Sequence, residues 1–212
     1  MKNYFFDLDG TLTDSAEGII NSVIYAMSTY GIQETDRAAL TSFVGPPLGE
    51  SIMKRYGFSK EKAEEAVARF RVRFSSEGIY ENAVYEGIAD LLASLKARGD
   101  RVILATSKPE VFALRILEHF GLIGYFDFVC GANLKENNRL EKEEVLRYAL
   151  EISGADPESS YMVGDRKFDV ISGKKLGLST VGVLYGYGTR EELEAAGADV
   201  ICQTVRELKS IL

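Results

Sequence analysis

The run Asp7-Leu8-Asp9-Gly10-Thr11-Leu12 follows directly on the apolar stretch Tyr4-Phe5-Phe6. A short aromatic run of this kind reads as a buried strand, and here it ends in two carboxylates two positions apart. Gly10 supplies the turn that brings both to one place. Like charges so close repel and raise one proton affinity. A bound cation relieves that repulsion, and so does chemistry that keeps one carboxyl ionised and the other protonated. A solvated turn is the bland reading of an Asp-x-Asp pair. A Gly-Thr step straight after an N-terminal apolar strand favours a site.

The rest of the composition narrows the chemistry. The chain has 212 residues, room for one large domain or one domain with an insert. A net charge of -7 and the lack of a basic stripe argue against a nucleic-acid surface. No apolar run has the length of a membrane span, and Met1-Lys2-Asn3 leads into a strand without the form of a signal peptide. A cytoplasmic setting is expected. Cys130 and Cys202 lie in strand-like segments and read as buried hydrophobes, not as a disulfide or metal pair. His119, the single histidine, falls at the end of a helical stretch, where the helix dipole suits it. Histidine triads and histidine-rich zinc sites are therefore poor candidates, which points to carboxylates, lysines, hydroxyls and backbone amides.

Strand and helix patterns alternate along the chain. The strand candidates are Tyr4–Phe6, Val102–Ala105, Phe126–Cys130, Tyr161–Val163, Thr180–Leu184 and Asp199–Cys202. Helical patterns lie between them: Ile88, Leu91, Leu92 and Leu95; a helix opened by Pro109 and closed by Gly121; Glu143–Ile152; and Asp169–Leu176. Alternation of this kind predicts an α/β fold, a Rossmann-like, doubly wound parallel sheet covered on both faces. From Ser15 to Tyr80 the alternation stops. Ile19, Ile20, Val23, Ile24 and Met27, and then Ala63, Ala66, Val67, Phe70 and Phe74, repeat at helical spacing, with a hard turn at Gly45-Pro46-Pro47. The expected organisation is a core of residues 1–14 and 81–212 and a small all-helical insert of residues 15–80 after the first strand. Asp14, with Glu17 three residues on, reads as the N-cap of the insert's first helix.

Three strand ends carry polar clusters: Asp7 and Asp9; Thr106 and Ser107; and Gly164-Asp165, with Asp169 one helical turn later. In an open parallel sheet, ligands gather at such carboxyl ends. With DLDGTLTDS (7–15), VILATSKP (102–109), a lysine ahead of a helix at Lys142, GDRKFDV (164–170) and the tail GVLYGYGTREELEAAGAD (182–199), the chain resembles the haloacid dehalogenase superfamily over its whole length, specifically members similar to phosphoglycolate phosphatase with a small helical cap.

That resemblance implies an enzyme that hydrolyses phosphoric monoesters. Asp7 would be the nucleophile, giving an aspartyl-phosphate. Asp9 would protonate the leaving oxygen and then activate water. The Asp7 carboxylate, the Asp9 backbone carbonyl and Asp165 would hold Mg²⁺. Thr106 would donate to a phosphoryl oxygen, helped by the Ser107 N–H at a helix N-terminus, and Lys142 would neutralise the transferring group. Lys142 stands in the run Glu141-Lys142-Glu143-Glu144, where a solvated lysine is the alternative, with Lys135 as the substitute. Asp169 would orient Lys142 or a metal-bound water from behind. Gly10, Thr11, Ser107, Gly45 and Pro46 would meet the substrate. Arg69, Arg71 and Arg73 read as a solvated helix face or as a carboxylate-binding group.

The expected partner is a small phosphorylated metabolite, with no nucleic acid and no membrane, acted on by a monomer or homodimer. 2-Phosphoglycolate is the first expectation for the substrate; a nucleoside monophosphate or a pyrophosphate is the alternative. Relatives that are dehalogenases or phosphonatases lack the second aspartate, so Asp9 argues against both. A sugar-phosphate mutase keeps it, and a non-catalytic phosphate-binding protein on the same fold is the remaining class.

Overall fold

The computed structural model describes residues 1–134 and 139–212. Eight strands lie among them: β1 (Asn3–Phe6), β2 (Thr13–Asp14), β3 (Ala83–Val84), β4 (Arg101–Pro109), β5 (Phe128–Ala132), β6 (Ser160–Gly164), β7 (Ser179–Val183) and β8 (Val200–Cys202). Six form one sheet in the order β5-β4-β1-β6-β7-β8, while β2 and β3 pair with each other. Every pairing within the large sheet is parallel. The fold is the expected α/β, Rossmann-like doubly wound sheet. The chain divides into two compact units, Met1–Thr13 with Val84–Leu212, and Asp14–Ala83.

β1 lies between β4 and β6, so both of its edges are paired, and Tyr4, Phe5 and Phe6 are fully buried. Phe5 packs with Ile103, Ala105, Cys130 and Met162 and with Val145, Leu146 and Ala149 of the helix Lys142–Ser153. Those three residues recur at helical spacing, and their stripe docks that helix on β4 and β5. Cys130 and Cys202 are buried and unpaired.

Among the element boundaries that differ from expectation, two have a local reason that bears on the site. β5 begins at Phe128, not Phe126, because Ile123–Tyr125 forms a tight helical turn and the Asp127 carboxylate accepts from the Val102 N–H at 2.8 Å. β4 does not stop at Ala105. It continues past a register shift to Pro109, which pairs with Ala132. The following helix therefore starts at Glu110, and Ser107 lies inside a strand rather than at a helix N-terminus.

The unit Asp14–Ala83 contains the helices Ala16–Ser28, Arg37–Leu40, Leu48–Tyr56 and Lys60–Arg73, the last continuing into a wider turn at Phe74–Gly78. Gly18 packs so tightly on that turn that a Cβ would strike the Gly78 carbonyl. Ser15, not Asp14, holds the N-cap position of the first helix; the Asp14 carboxylate accepts from the Ala16 N–H at 3.3 Å, and Glu17 pairs with Arg37 at 2.9 Å. Two of the three arginines considered for ligand binding are committed within the unit: Arg69 donates to Thr29 and Arg73 to Glu81. Gly45 has a φ of 99° and, with Pro46, forms the turn before Leu48–Tyr56. No helix among the described residues is long and apolar enough to cross a membrane.

Phe5→Ala empties the centre of this core. It is expected to cost about 3–5 kcal/mol, against about 0.5–1.5 kcal/mol for Ile103→Val, in urea unfolding monitored by far-UV circular dichroism.

Candidate active site

The three strands at the centre of the sheet deliver the polar residues together. Phe6 is in register with Leu104 on one side and Val163 on the other. The residues that follow each strand therefore emerge at the same edge: Asp7 and Asp9 after β1, Thr106 to Lys108 at the end of β4, and Asp165 after β6. Asp7 stays in line, its N–H donating to the Val163 carbonyl at 3.0 Å. Beyond it the chain wraps into a tight loop. The Leu8 carbonyl accepts from the N–H groups of Leu12 at 2.9 Å and Thr13 at 3.0 Å, and the Gly10 N–H donates to Thr13. Gly10 has a φ of 81°, and a Cβ there would strike the Asp165 carboxylate, so no other residue fits.

Lys142 reaches this edge from the first turn of its helix. Its ammonium lies 2.7 Å from each of Asp7 Oδ1, Asp169 Oδ1 and the Ala105 carbonyl; it donates to Asp7 and Ala105 and forms an ion pair with Asp169. Burial works against its charge, but the fields of Asp169 and Asp7 outweigh burial and hold its pKa above the usual lysine value. Lys108 makes a second clamp, its Nζ donating to both carboxylate oxygens of Asp9 at 2.9 and 2.8 Å. Asp165 has no such cation. Its Oδ2 accepts from the Tyr187 N–H at 2.7 Å, while its buried Oδ1 has no hydrogen-bond partner. Burial, and then repulsion from Asp169 and Asp7, pushes the Asp165 carboxyl well above the usual carboxylate range. Burial pushes Asp169 up to about 6, with Lys142 opposing and Asp7 adding to the rise.

All six charged groups are at most 9% exposed. Four carboxylates, Asp7, Asp9, Asp165 and Asp169, face two ammonium groups, Lys108 and Lys142. With all four carboxyls ionised two negative charges are left over, and uncompensated charge in so dry a place is expensive, which is why Asp165 and Asp169 hold their protons more tightly than usual. Asp7, Asp165 and Asp169 each offer a carboxylate oxygen, all within 4.8 Å of one another. The excess charge, the all-oxygen donor set and the orphaned Asp165 Oδ1 fit a hard divalent cation.

The sequence-derived residues fall as follows. Asp7, Asp9, Asp165, Asp169 and Lys142 come together as described. Asp9 was expected in the metal set through its backbone carbonyl; the side-chain cluster consists of Asp7, Asp165 and Asp169, and both side-chain oxygens of Asp9 accept from Lys108. Asp169 forms an ion pair with Lys142 and also belongs to the cluster, so it is a candidate ligand as well as an orienter. Thr106 is buried on β4, and its Oγ1 accepts from the Lys108 N–H at 3.2 Å. The Thr11 carbonyl accepts from the Tyr185 hydroxyl at 3.0 Å. Lys135 lies outside the described residues. Gly45 and Pro46 lie in the other unit, Asp14–Ala83.

Two features were not singled out in the sequence. Lys108 was read only as part of its motif, although a residue two positions beyond Thr106 shares its side of an extended strand. The second is the segment Tyr185-Gly186-Tyr187-Gly188, which wraps around Asp165: a Cβ on Gly186 would strike the Gly10 carbonyl and the Asp165 side chain, and one on Gly188 the Asp165 carbonyl. Gly164 is equally constrained, since a Cβ there would strike the Asp169 carboxyl group. Glycines spaced this closely after an apolar strand were the available signal.

Fold and pocket together define an α/β protein with buried carboxylates and lysines gathered at the ends of its central strands. The family model for haloacid dehalogenase-like hydrolases matches residues 4–183, and the chain belongs to that family. It is 42% identical over 210 residues to a protein of Pseudomonas aeruginosa named 5'-nucleotidase, covering 99% of this chain and 95% of that one. It is 39% identical over 209 residues to the tyrosine-protein kinase PtkA of Mycobacterium tuberculosis, covering 98% of this chain and 71% of that one. A crystal structure described as a predicted phosphatase from Clostridium acetobutylicum superposes with a TM-score of 0.95 at 47% identity, covering 99% of this chain and 97% of that one. The protein is a phosphatase of this family.

Two measurements probe the cluster. A carboxyl whose pKa is raised on folding stabilises the fold below its unfolded value, near 3.9, and that contribution is lost as pH rises through the folded value, about 6 for Asp169. In chelator, the melting temperature is therefore expected to fall as pH rises through this range. Asp165→Asn should flatten the decline and raise the melting point above wild type at pH 7, by roughly 2–4 °C per kcal/mol of relief. Gly186→Ala, which would push against Asp165, is expected to weaken any divalent-cation binding by about 10-fold or more in calorimetric titration.

Proposed function

We propose that the protein is a Mg²⁺-dependent phosphatase of small phosphate monoesters that works through an aspartyl-phosphate on Asp7. The observation that supports this best is the pair of uncompensated negative charges around Asp7, Asp165 and Asp169, the charge deficit that one Mg²⁺ fills. When bound by these carboxylates, the ion would cancel their field and allow an anionic ester to approach.

In this reading Lys142 holds Asp7 Oδ1, which leaves the second oxygen of Asp7 to attack phosphorus. The P–O bond to the leaving group breaks, and Asp9, which takes up a proton when the substrate complex forms, gives that proton to the departing oxygen. In the second half, water attacks the phosphoryl group, Asp9 takes a proton from it, and the bond between phosphorus and Asp7 breaks to release phosphate. Thr106 donates its hydroxyl hydrogen to a phosphoryl oxygen, because its oxygen already accepts from the Lys108 N–H. The unit Asp14–Ala83, with Gly45 and Pro46, acts as the cap that selects the substrate.

2-Phosphoglycolate was the first substrate expected from the sequence. The 42% identity to a protein named 5'-nucleotidase favours a second reading, a nucleoside monophosphate. Steady-state assays of phosphate release across both substrate types, with and without chelator, separate them. Release of inorganic phosphate, as opposed to return of the phosphoryl group to the substrate, separates hydrolysis from mutase action.

Asp7→Asn is expected to lower turnover of an aryl phosphate by at least about 10³-fold, and chelator to do the same to wild type. Asp9→Asn should turn over slowly while intact-protein mass spectrometry finds a phosphoryl adduct on Asp7. A wild-type rate in Asp7→Asn would exclude the covalent route.

A further inference from the structure

The family mechanism does not by itself say what keeps Asp9 in place. Asp9 sits in a loop whose backbone is tied to itself through Leu8, Gly10 and Thr13, and to its surroundings through the Thr11 and Leu12 carbonyls, which accept from the Tyr185 hydroxyl and the Tyr85 N–H; none of these bonds fixes the Asp9 side chain. Its side chain could rotate into the neighbouring carboxylate cluster, where a cation would compete for it. The structure shows what opposes that. β4 runs on past Ala105 to Pro109, and this extension carries Lys108 to the same edge of the sheet as β1. Lys108 is 8% exposed, and its Nζ donates to both oxygens of Asp9 at 2.9 and 2.8 Å. A two-oxygen clamp fixes both the position and the plane of a carboxylate, which a single hydrogen bond does not.

We infer that Lys108 is a positioning residue, which acts through Asp9 by holding its carboxylate away from Asp7, Asp165 and Asp169 and aimed at the leaving-group oxygen. The inference rests on the proposed role of Asp9. It accounts for two separate buried lysines at one pocket: Lys142 serves Asp7 and Asp169, and Lys108 serves Asp9 alone among the four carboxylates. Misplacement of a reacting group by about 1 Å costs on the order of 10²-fold in rate, so removal of the clamp has a measurable effect without any change of catalytic group.

The test compares two esters. An alkyl phosphate needs a proton on its poor leaving group, whereas 4-nitrophenyl phosphate scarcely does. Lys108→Met is expected to lower kcat/KM for the alkyl ester by about 10²-fold and for the aryl ester by much less. In the Asp9→Asn background, Lys108→Met should add little further loss, since the two residues act as one unit. Lys108→Arg should restore part of the alkyl-ester activity, and it carries the test if the methionine variant does not fold. Equal losses on both esters, or full additivity with Asp9→Asn, overturn the inference. An Asp9→Asn enzyme with wild-type kcat/KM on both esters overturns the role of Asp9 itself, a distinguishable result.

Discussion

The ammonium of Lys142 touches Asp7, Asp169 and the Ala105 carbonyl at once, and the rest of the pocket is arranged around that contact. It joins a residue following β1, one following β6 and the main chain of β4, so a single charged group ties together the ends of three neighbouring strands. Two carboxylates so close would otherwise drive one another to the protonated form. With the lysine between them, one oxygen of Asp7 is fixed. Removing one member of such a buried pair typically costs about 3–5 kcal/mol, because the remaining charge is stranded.

The pocket is incomplete in charge, and incomplete in a specific direction. Asp165 receives one backbone hydrogen bond and no cation, and one of its oxygens faces nothing that can donate. Interiors rarely tolerate this without a functional reason. The glycines around it (Gly10, Gly164, Gly186) each give up a side chain so that backbone can crowd against carboxylate. A fold selected for stability alone would fill that space with apolar groups. Here a well-packed sheet meets the cost of an acidic cavity at its rim.

Much of the fold could be read from the sequence, because the central strands are written in continuous apolar letters. Tyr4-Phe5-Phe6 and Val102-Ile103-Leu104-Ala105 are buried on both faces, so no polar residue interrupts them. The end of β4 was illegible for the complementary reason. Thr106-Ser107-Lys108-Pro109 looks like a strand that has finished, yet Pro109 is in register with Ala132 and the strand goes on. Lys108 was hidden by that polarity. Lys142 presents a different difficulty. Glu141-Lys142-Glu143-Glu144 has the composition of a solvated helix start, and the burial of its lysine depends on where the apolar stripe Val145, Leu146 and Ala149 docks, which is a tertiary property. The clustering of Asp7, Asp165 and Asp169 likewise depends on strand order, with β1 between β4 and β6, which local pattern does not encode.

The placement of Lys142 in the first turn of its helix has a mechanical side. The N-terminus of a helix carries a partial positive charge and disfavours a cation there. Glu144 offsets part of this by accepting from the N–H groups of Leu140 and Glu141, at 2.9 and 3.3 Å. The remainder is offset from outside the helix, by the acceptors at the strand ends. The start of Lys142–Ser153 is thus anchored by the pocket as much as by its own backbone, and a change in what the pocket contains is passed directly into how firmly that turn is wound.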